Sequence, residues 1–176
     1  MCQTFHKEEY VVYAGTGICV IDDIRTLSLP NPGNDRLYYV LRPLSYPHST
    51  LYIPCDNDTL VSKMRYDLTK AEIDRLLLDI KDRKMVWIED KNARSDYFHK
   101  ILSAGNQQEL LLLVGSIYLK KQERASAGKK LPFSDENILK TTERLVSEEF
   151  AFSLQIPAEK VNHYIQEKLG ICSEKA

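Results

Sequence analysis

The hydrophobic residues in the first third of the chain follow a period of about two residues, which is typical of short β-strands. This part is rich in Val, Ile, Tyr and Thr, residue types that fit the pleated surface of a sheet. The predicted strands are YVVYA (10–14), ICVID (18–22), RLYYVLR (36–42) and TLYIP (50–54). Gly15-Thr16-Gly17 and the loop LPNPGND (29–35) separate them as turns. Four short strands with tight connections predict a small, strongly bent antiparallel sheet or an open barrel, and of these we expect a small antiparallel β-barrel.

After Asp67 the apolar residues recur about every 3.6 residues, the period of an amphipathic helix. Thr69 and Glu72 have the spacing of a capping box, which predicts a helix start at this point. Four more helices are predicted: one over 96–104 that ends at Gly105, one opened by Asn106, one capped by Ser134 and one begun by Pro157. The run LLLLVGSIYL (110–119) is apolar nearly all round, so we expect the third helix to be the central, buried one.

This change of period divides the chain into two parts. A chain of 176 residues has room for one ordinary domain or two small ones. We therefore predict an α+β protein with a β domain over residues 1–66 and an all-α bundle of about five helices over residues 67–176.

Composition and charge exclude several classes of protein. The chain has 24 Lys and Arg against 25 Asp and Glu, so any binding to nucleic acid or acidic lipid must use a local patch. The cysteines, Cys2, Cys19, Cys55 and Cys172, form no C-x2-C pair, which argues against a zinc site or a disulfide framework. The N-terminus lacks the apolar core of a signal peptide, and the longest apolar run is too short to cross a bilayer. We expect a soluble, cytoplasmic protein.

No arrangement of catalytic residues stands out. The four histidines are isolated and lack the spacing of metal ligands. Gly15-x-Gly17 lacks a third glycine and leads into a strand, so a hairpin turn is favoured over a phosphate-binding loop. The adjacent acids Glu148 and Glu149 diverge on a helix, which argues against a shared-proton pair. We expect no enzyme, no metal and no cofactor, with an unrecognised hydrolase as an alternative that requires a polar pocket.

Binding is the remaining class of function, and two features can serve it. A small sheet has exposed edges, and an uncovered edge can pair with a strand of a partner. The second feature is a group of cations at the end of the long helix and in the loop after it, formed by Lys120, Lys121, Arg124, Lys129 and Lys130. These cations can stabilise the C-terminus of the helix or contact phosphates, and composition leaves both interpretations open.

The only tryptophan of the chain, Trp87, lies in the charged segment KMVWIEDKNAR (84–94). One interpretation is that the indole fills the gap between two helices, because Trp is usually well buried. The other is that Arg83, Lys84, Lys91 and Arg94 hold phosphates while the indole stacks on, or wedges beside, an exposed base.

The order of these segments resembles the CarD/CdnL family of bacterial transcription regulators. The N-terminal half of that family is similar to the polymerase-interacting domain of the transcription-repair coupling factor. In the first half the resemblance is carried by VVYAGTGICVIDDI, RLYYVLRP and TLYIPCDN. In the second half it is carried by Trp87, LSAGNQQELLLLVGSIYLKK, GKKLPFSDENILKTTERLVSEEFAFSL and the helix after Pro157. The resemblance covers nearly the whole chain.

The resemblance implies a Tudor-like or SH3-like N-terminal barrel that pairs a strand edge with the β subunit of RNA polymerase. It also implies a helical domain that lies on promoter DNA at the upstream edge of the transcription bubble. In the family the loop tryptophan is presented to DNA, and Trp87 matches that position. The implied DNA-binding residues are Trp87, Lys84, Lys91, Arg94, Lys120, Lys121 and Arg124. The implied polymerase-binding residues are Arg25, Leu27, Leu51, Tyr52 and Ile53.

The chain departs from the family pattern at three places. Ala14 stands where the family usually has proline, a change that alters the turn. Leu27 and Tyr52 align where characterised relatives carry arginines that face polymerase, and Arg25 lies two residues earlier. The segment between Trp87 and Gly105 is longer and more acidic than in actinobacterial relatives, so we expect DNA binding to depend on tethering to polymerase.

From this resemblance we expect a transcription regulator that modulates the stability of the open complex. Its contact with promoter DNA is expected in the minor groove at the bubble edge, without sequence specificity. It is expected to act as a monomer in the functional complex and to be associated with the nucleoid through polymerase. The alternative is an adaptor that binds polymerase or another protein and never contacts DNA.

Overall fold

The computed structural model describes residues 4–29 and 33–170. Pro30, Asn31 and Pro32 of the predicted turn, together with Cys2 and Cys172, lie outside the described residues. The chain forms two compact units, Met1–Asp67 and Leu68–Ala176. None of the helices in the described part of the chain is both long enough and apolar enough to span a membrane.

The first unit is an antiparallel sheet with one short helix. Its elements are β1 (Tyr10–Tyr13), β2 (Gly17–Leu27), β3 (Arg36–Pro43), β4 (Leu51–Pro54), α1 (Asp58–Val61) and β5 (Met64–Arg65). The strands are ordered β4-β3-β2-β1-β5. The predicted barrel is wrong, because β4 and β5 lie at opposite ends of this order and no pairing joins them within the described residues. The fifth strand was not predicted, since two residues are too few to show a period.

Strand β2 continues well beyond its predicted end because it contains a β-bulge. Ile21 pairs with Leu41, and Asp23 pairs with Val40, so Asp22 is an extra residue in β2. An extra residue reverses the alternation of side chains, which hides the continuation of the strand from a period-two pattern. Arg42 on β3 donates to both oxygens of the Asp22 carboxylate, at 2.7 and 2.8 Å. These hydrogen bonds lower the pKa of Asp22.

The core of the first unit lies on one face of the sheet, where α1 and the segment before β1 also contribute. Its buried residues are Phe5, Val11, Cys19, Ile21, Tyr39, Leu41, Ile53, Val61 and Met64. Phe5 packs edge-on against Tyr39, with the ring centroids 6.0 Å apart. Cys19 and Cys55, the two cysteines within the described residues, are not joined by a disulfide.

The second unit consists of helices, and the α+β class is confirmed. The helices are α2 (Lys70–Ile80), α3 (Lys91–Ala104), α4 (Gln107–Ser126), α5 (Phe133–Leu154) and α6 (Ala158–Leu169). The predicted capping box is present: Thr69 accepts from the backbone N–H of Glu72, and Glu72 accepts from that of Thr69. Asn106 caps α4 by accepting from the backbone N–H of Glu109 at 3.1 Å, and Gly105 ends α3 with a left-handed φ of 66°.

Two helix starts differ from the prediction. Helix α3 begins at Lys91, since Asp90 caps it by accepting from the N–H of Ala93 at 2.8 Å. Helix α5 begins at Phe133 with Pro132 before it, and Ser134 is therefore inside the helix and not its cap. Helix α3 is consequently longer than predicted, and the segment that carries Trp87 is correspondingly shorter.

Helix α4 packs against α2, α3 and α5. Leu110, Leu113 and Ile117 on its inner side are at most 1% exposed. The prediction that the whole run is buried is wrong on its other side, where Tyr118 is 42% and Leu119 is 53% exposed. Tyr118 and Leu119 thus remain partly at the surface, although the hydroxyl of Tyr118 donates to the carboxylate of Glu143 on α5.

Candidate functional site

The tryptophan loop, residues 81–90 between α2 and α3, has no regular secondary structure. Trp87 in this loop is half-buried and packs against the core of the helical unit. Its ring lies edge-on to Phe98 of α3, with a centroid distance of 5.9 Å and an interplanar angle of 66°. The indole therefore combines features of both interpretations: part of it packs against the core, and part of it remains at the surface.

Two cations lie against the ring of Trp87. The guanidinium carbon of Arg94 is 4.8 Å from the ring centroid, and the ammonium nitrogen of Lys120 is 5.6 Å from it. Both distances are within the range of cation–π attraction. The Lys120 ammonium also lies 3.1 Å from the Glu123 carboxylate and 3.4 Å from that of Glu89. The hydrogen bond to Glu123 raises the pKa of Lys120, so Lys120 remains charged at neutral pH.

Arg94 lies inside the helical unit and not at its surface. The residue is 5% exposed, and its Nη1 donates to the carbonyl oxygens of Ile88 at 2.8 Å and Glu89 at 3.0 Å. Its Nη2 donates at 3.0 Å to the carboxylate of Asp135, which is 2% exposed. A guanidinium that is buried and neutralised in this way cannot receive a phosphate unless the ion pair breaks. The structure thus separates Arg94 from the other predicted DNA-binding cations.

The remaining predicted cations divide into two groups. Lys84 and Lys91 are exposed, and within the described residues their side chains form no ion pair or hydrogen bond. Lys120 has the partners given above, Lys121 lies 3.3 Å from Glu136, and Arg124 donates from Nε to the carbonyl oxygen of Lys130 at 2.8 Å. No observation tests whether any of these residues contacts DNA, and that role stays a prediction.

An open cleft of about 520 Å³ lies beside the tryptophan loop. Lys84, Val86 and Ile88 of the loop line it, together with Tyr97 of α3 and Leu112 of α4. Val86 is 84% exposed and Tyr97 is 38% exposed. The loop therefore presents apolar surface next to an unpaired cation. The sequence pattern does not reveal this combination, because Val86 and Tyr97 lie eleven positions apart in the chain.

The residues predicted to bind polymerase fall on both faces of the sheet. Arg25 pairs with Tyr38, and Leu27 pairs with Arg36. Tyr52 pairs with Val40. Directly paired residues point to the same face, and Tyr38, Val40 and Arg36 alternate along β3, so Arg25, Leu27 and Tyr52 share the face opposite the core. We call these three residues the outer patch.

Leu51 and Ile53 lie on the other face, with the core. Leu51 pairs with Leu41, and Ile53 pairs with Tyr39. Ile53 is 4% exposed and Leu51 is half-buried. The contact of Ile53 with polymerase stays a prediction, and the structure places the side chain of Ile53 inside the unit. The physical reason is the strict alternation of side chains along a strand.

Strand β4 is one edge of the sheet. The N–H of Cys55 donates to the carbonyl oxygen of Leu37 on β3 at 2.9 Å. Because backbone groups alternate in direction along a strand, the N–H and C=O of Tyr52 point away from β3. Pro54 has no N–H, and its carbonyl oxygen accepts from Asn57 at 3.1 Å. Tyr52, whose side chain is 41% exposed, is therefore the centre of the open edge.

Comparison with known proteins adds an independent observation on the first unit. Residues 5–65 match the family model described as CarD-like/TRCF RID domain. This range includes every strand of the sheet and ends before the helical unit. Among curated proteins, none matches the chain. RID denotes an RNA polymerase-interacting domain, and the match indicates that this unit interacts with RNA polymerase. Over residues 5–65, the first unit is therefore similar to the CarD-like/TRCF RID domain.

Proposed function

We propose that this chain is a non-catalytic transcription regulator. It binds the β subunit of RNA polymerase through the first unit and brings the tryptophan loop to promoter DNA at the upstream edge of the transcription bubble. The observation that carries the proposal is the combination, in one chain, of a RID domain with an open strand edge and a loop that keeps Trp87 half-exposed beside unpaired lysines.

Polymerase binding uses the edge of β4 and the outer patch. A partner strand pairs with the outward N–H and C=O of Tyr52, which supplies backbone hydrogen bonds without requiring particular side chains. Arg25 is exposed and provides the positive charge of the outer patch, while Tyr52 provides a large apolar contact. In this chain an aromatic anchor thus takes a position where relatives carry an arginine. Tyr residues of this kind often contribute strongly to binding.

DNA binding uses the exposed side of the tryptophan loop. Lys84 and Lys91 contact phosphates, and each contact releases counterions and so contributes affinity that falls with salt. Trp87 and the exposed Val86 present an apolar wedge to the minor groove beside the melted region. Contacts to the backbone and a wedge carry little sequence information, so binding is not specific for sequence.

The acidic residues of the loop do not oppose this contact as strongly as their number suggests. Glu89 lies 3.4 Å from the ammonium of Lys120, and Asp90 is used as the N-cap of α3. Each is thus partly compensated within the helical unit. The remaining DNA affinity is weak, and tethering through polymerase raises the local concentration of the loop at the promoter.

The regulator acts by shifting an equilibrium. A loop that binds the distorted bubble edge better than closed duplex DNA stabilises the open complex by that difference in affinity. The protein functions as a monomer on each polymerase, and it works in the cytoplasm because polymerase and chromosome are there.

The test compares Trp87→Ala with the wild type in two assays. Binding to the β subunit is expected to remain unchanged, because Trp87 belongs to the other unit. Promoter opening is measured by the fluorescence of a base analogue in the bubble. We expect Trp87→Ala to have lost most of the effect of the wild type on this opening. Tyr52→Asp is the complementary variant and is expected to abolish both effects. If folded Trp87→Ala changes promoter opening as the wild type does, the proposed DNA role is wrong.

A protein-only adaptor is the second candidate, and one observation favours it. Of the six cations predicted to bind DNA, Arg94 is buried, and Lys120 and Lys121 lie beside carboxylates. The adaptor interacts with polymerase and never reaches DNA. A photocrosslinker at position 87 in a promoter complex distinguishes the two candidates, since crosslinks to promoter DNA support the regulator and crosslinks to protein alone support the adaptor.

A further inference from the structure

Arg94 and Asp135 form a buried ion pair behind the tryptophan loop. We infer that this pair is a positioning clamp: it holds the loop and the indole of Trp87 in the geometry that meets promoter DNA. The inference rests on the proposed function for its role at the promoter, and it assigns to Arg94 a role other than contact with phosphate.

The clamp joins three elements of the helical unit through one guanidinium. Arg94 belongs to α3, Asp135 belongs to the first turn of α5, and the two carbonyl oxygens that Arg94 binds belong to the tryptophan loop. The ion pair connects residues that are 41 positions apart in the chain. A loop without secondary structure has no ladder of hydrogen bonds of its own, so these contacts restrict its position.

The contacts act directly next to Trp87. Ile88 and Glu89, whose carbonyl oxygens are held at 2.8 and 3.0 Å, are the two residues that follow Trp87. The same guanidinium lies 4.8 Å from the centroid of the indole. Arg94 therefore fixes both the backbone after Trp87 and one side of its ring, while Phe98 contacts the ring edge-on.

Only an arginine satisfies this set of contacts. The planar guanidinium donates in several fixed directions and can also stack on an aromatic ring. A lysine at the same position retains the charge and three N–H donors, but these radiate from one compact nitrogen, which cannot reproduce the spacing of the three guanidinium contacts while also lying over the indole. Arg94→Lys thus keeps the positive charge at this position but removes the arrangement of contacts that the guanidinium makes.

A buried ion pair can also be purely structural, and the two roles predict different results. If the pair contributes only to stability, a variant that stays folded leaves the indole where it is. If the pair positions the indole, a folded variant moves the indole relative to solvent. Trp87 is the only tryptophan in the chain, so the tryptophan fluorescence of the full chain reports this one ring.

The experiment uses the full chain of Arg94→Lys, Asp135→Asn and the wild type, at a temperature where circular dichroism shows each to be folded. In both variants we expect emission at longer wavelength and stronger quenching by acrylamide. Their effect on promoter opening is expected to fall to that of Trp87→Ala, with unchanged binding to the β subunit. The double variant is expected to show the same emission, quenching and promoter effect as each single variant, because every one of them removes the same ion pair.

The matched control is Leu145→Ala, which destabilises the same core from α5 without touching the clamp. Its emission and quenching should equal those of the wild type when it is folded. The inference is overturned if Arg94→Lys and Asp135→Asn are folded and show the same emission, quenching and promoter effect as the wild type. If neither variant folds, the anisotropy decay of the wild-type indole decides: a dominant fast component shows an unrestrained ring and overturns the clamp.

The two proposals fail in different ways. Emission and quenching in the free protein test the clamp without DNA. The promoter effect of Trp87→Ala tests the proposed function without altering Arg94. Suppose that the indole is displaced in Arg94→Lys but that Trp87→Ala changes promoter opening as the wild type does. This result supports the clamp as a positioning device and refutes the proposed contact with DNA.

Discussion

Replacing Arg94 with alanine leaves the carboxylate of Asp135 without its ionic partner inside the helical unit. The two side chains are 6% and 3% exposed, so neither solvent nor another described cation compensates for the lost charge. The same change frees the carbonyl oxygens of Ile88 and Glu89. Truncation therefore removes a whole set of contacts, and not only one ion pair.

The expected magnitude follows from the burial. Removing one partner of a buried, hydrogen-bonded pair costs about 3–5 kcal/mol, because the remaining charge stays desolvated. An exposed ion pair contributes about 1 kcal/mol or less. Lys121 and Glu136 form such a pair between α4 and α5, with 46% and 37% exposed side chains. Arg94→Ala is thus expected to lower the free energy of unfolding several times more than Lys121→Ala does.

Urea denaturation followed by far-UV circular dichroism measures this difference, since the helices dominate the signal. The chain has two units, so each transition is fitted separately and the helical one is compared. Asp135→Ala should cost about as much as Arg94→Ala, and the double variant less than the sum. A loss of under about 1 kcal/mol for Arg94→Ala would refute the argument that the pair is buried and tightly held.

Three further predictions concern single residues. The hydrogen bond from Tyr164, followed by that from Lys168, lowers the pKa of Asp74. Asp74 therefore stabilises the fold above its unfolded pKa, and this stability is lost as the pH falls through the lowered pKa. The melting temperature of Asp74→Asn should consequently fall less steeply with acid than that of the wild type. Thr69→Ala should lower the free energy of unfolding by about 1 kcal/mol in urea, because the cap of α2 is lost. Lys84→Ala should reduce the salt dependence of promoter binding by about one unit of slope.

Each of these predictions has a matched control. Asp79→Asn removes an exposed carboxylate from the same helix as Asp74 and should leave the acid loss unchanged. Thr69→Ser keeps the capping hydroxyl and should retain most of the stability. Lys160→Ala removes an exposed lysine from α6 and should not alter the salt slope. A control that behaves like its paired variant contradicts the assigned cause.

Local interactions were well predicted because their partners are close in the chain. The cap at Thr69 and the left-handed end of α3 at Gly105 each involve residues within four positions. Asp90 offers the same kind of signal, but its acidic neighbours and the apolar spacing after Asp96 favour a later helix start. The bulge at Asp22 and the two-residue β5 depend on pairing with distant strands, and a period-two pattern does not show either.

The sequence by itself determined that a β unit precedes a helical unit, and its motifs indicated the family to which residues 5–65 are similar. It could not distinguish Lys84 from Arg94, two cations that lie ten positions apart around one tryptophan. Only the tertiary structure decided that Lys84 is exposed and Arg94 is buried, since the partner of Arg94 is Asp135 on another helix. Burial and charge pairing depend on which distant segments come together, and a linear pattern contains no direct record of that.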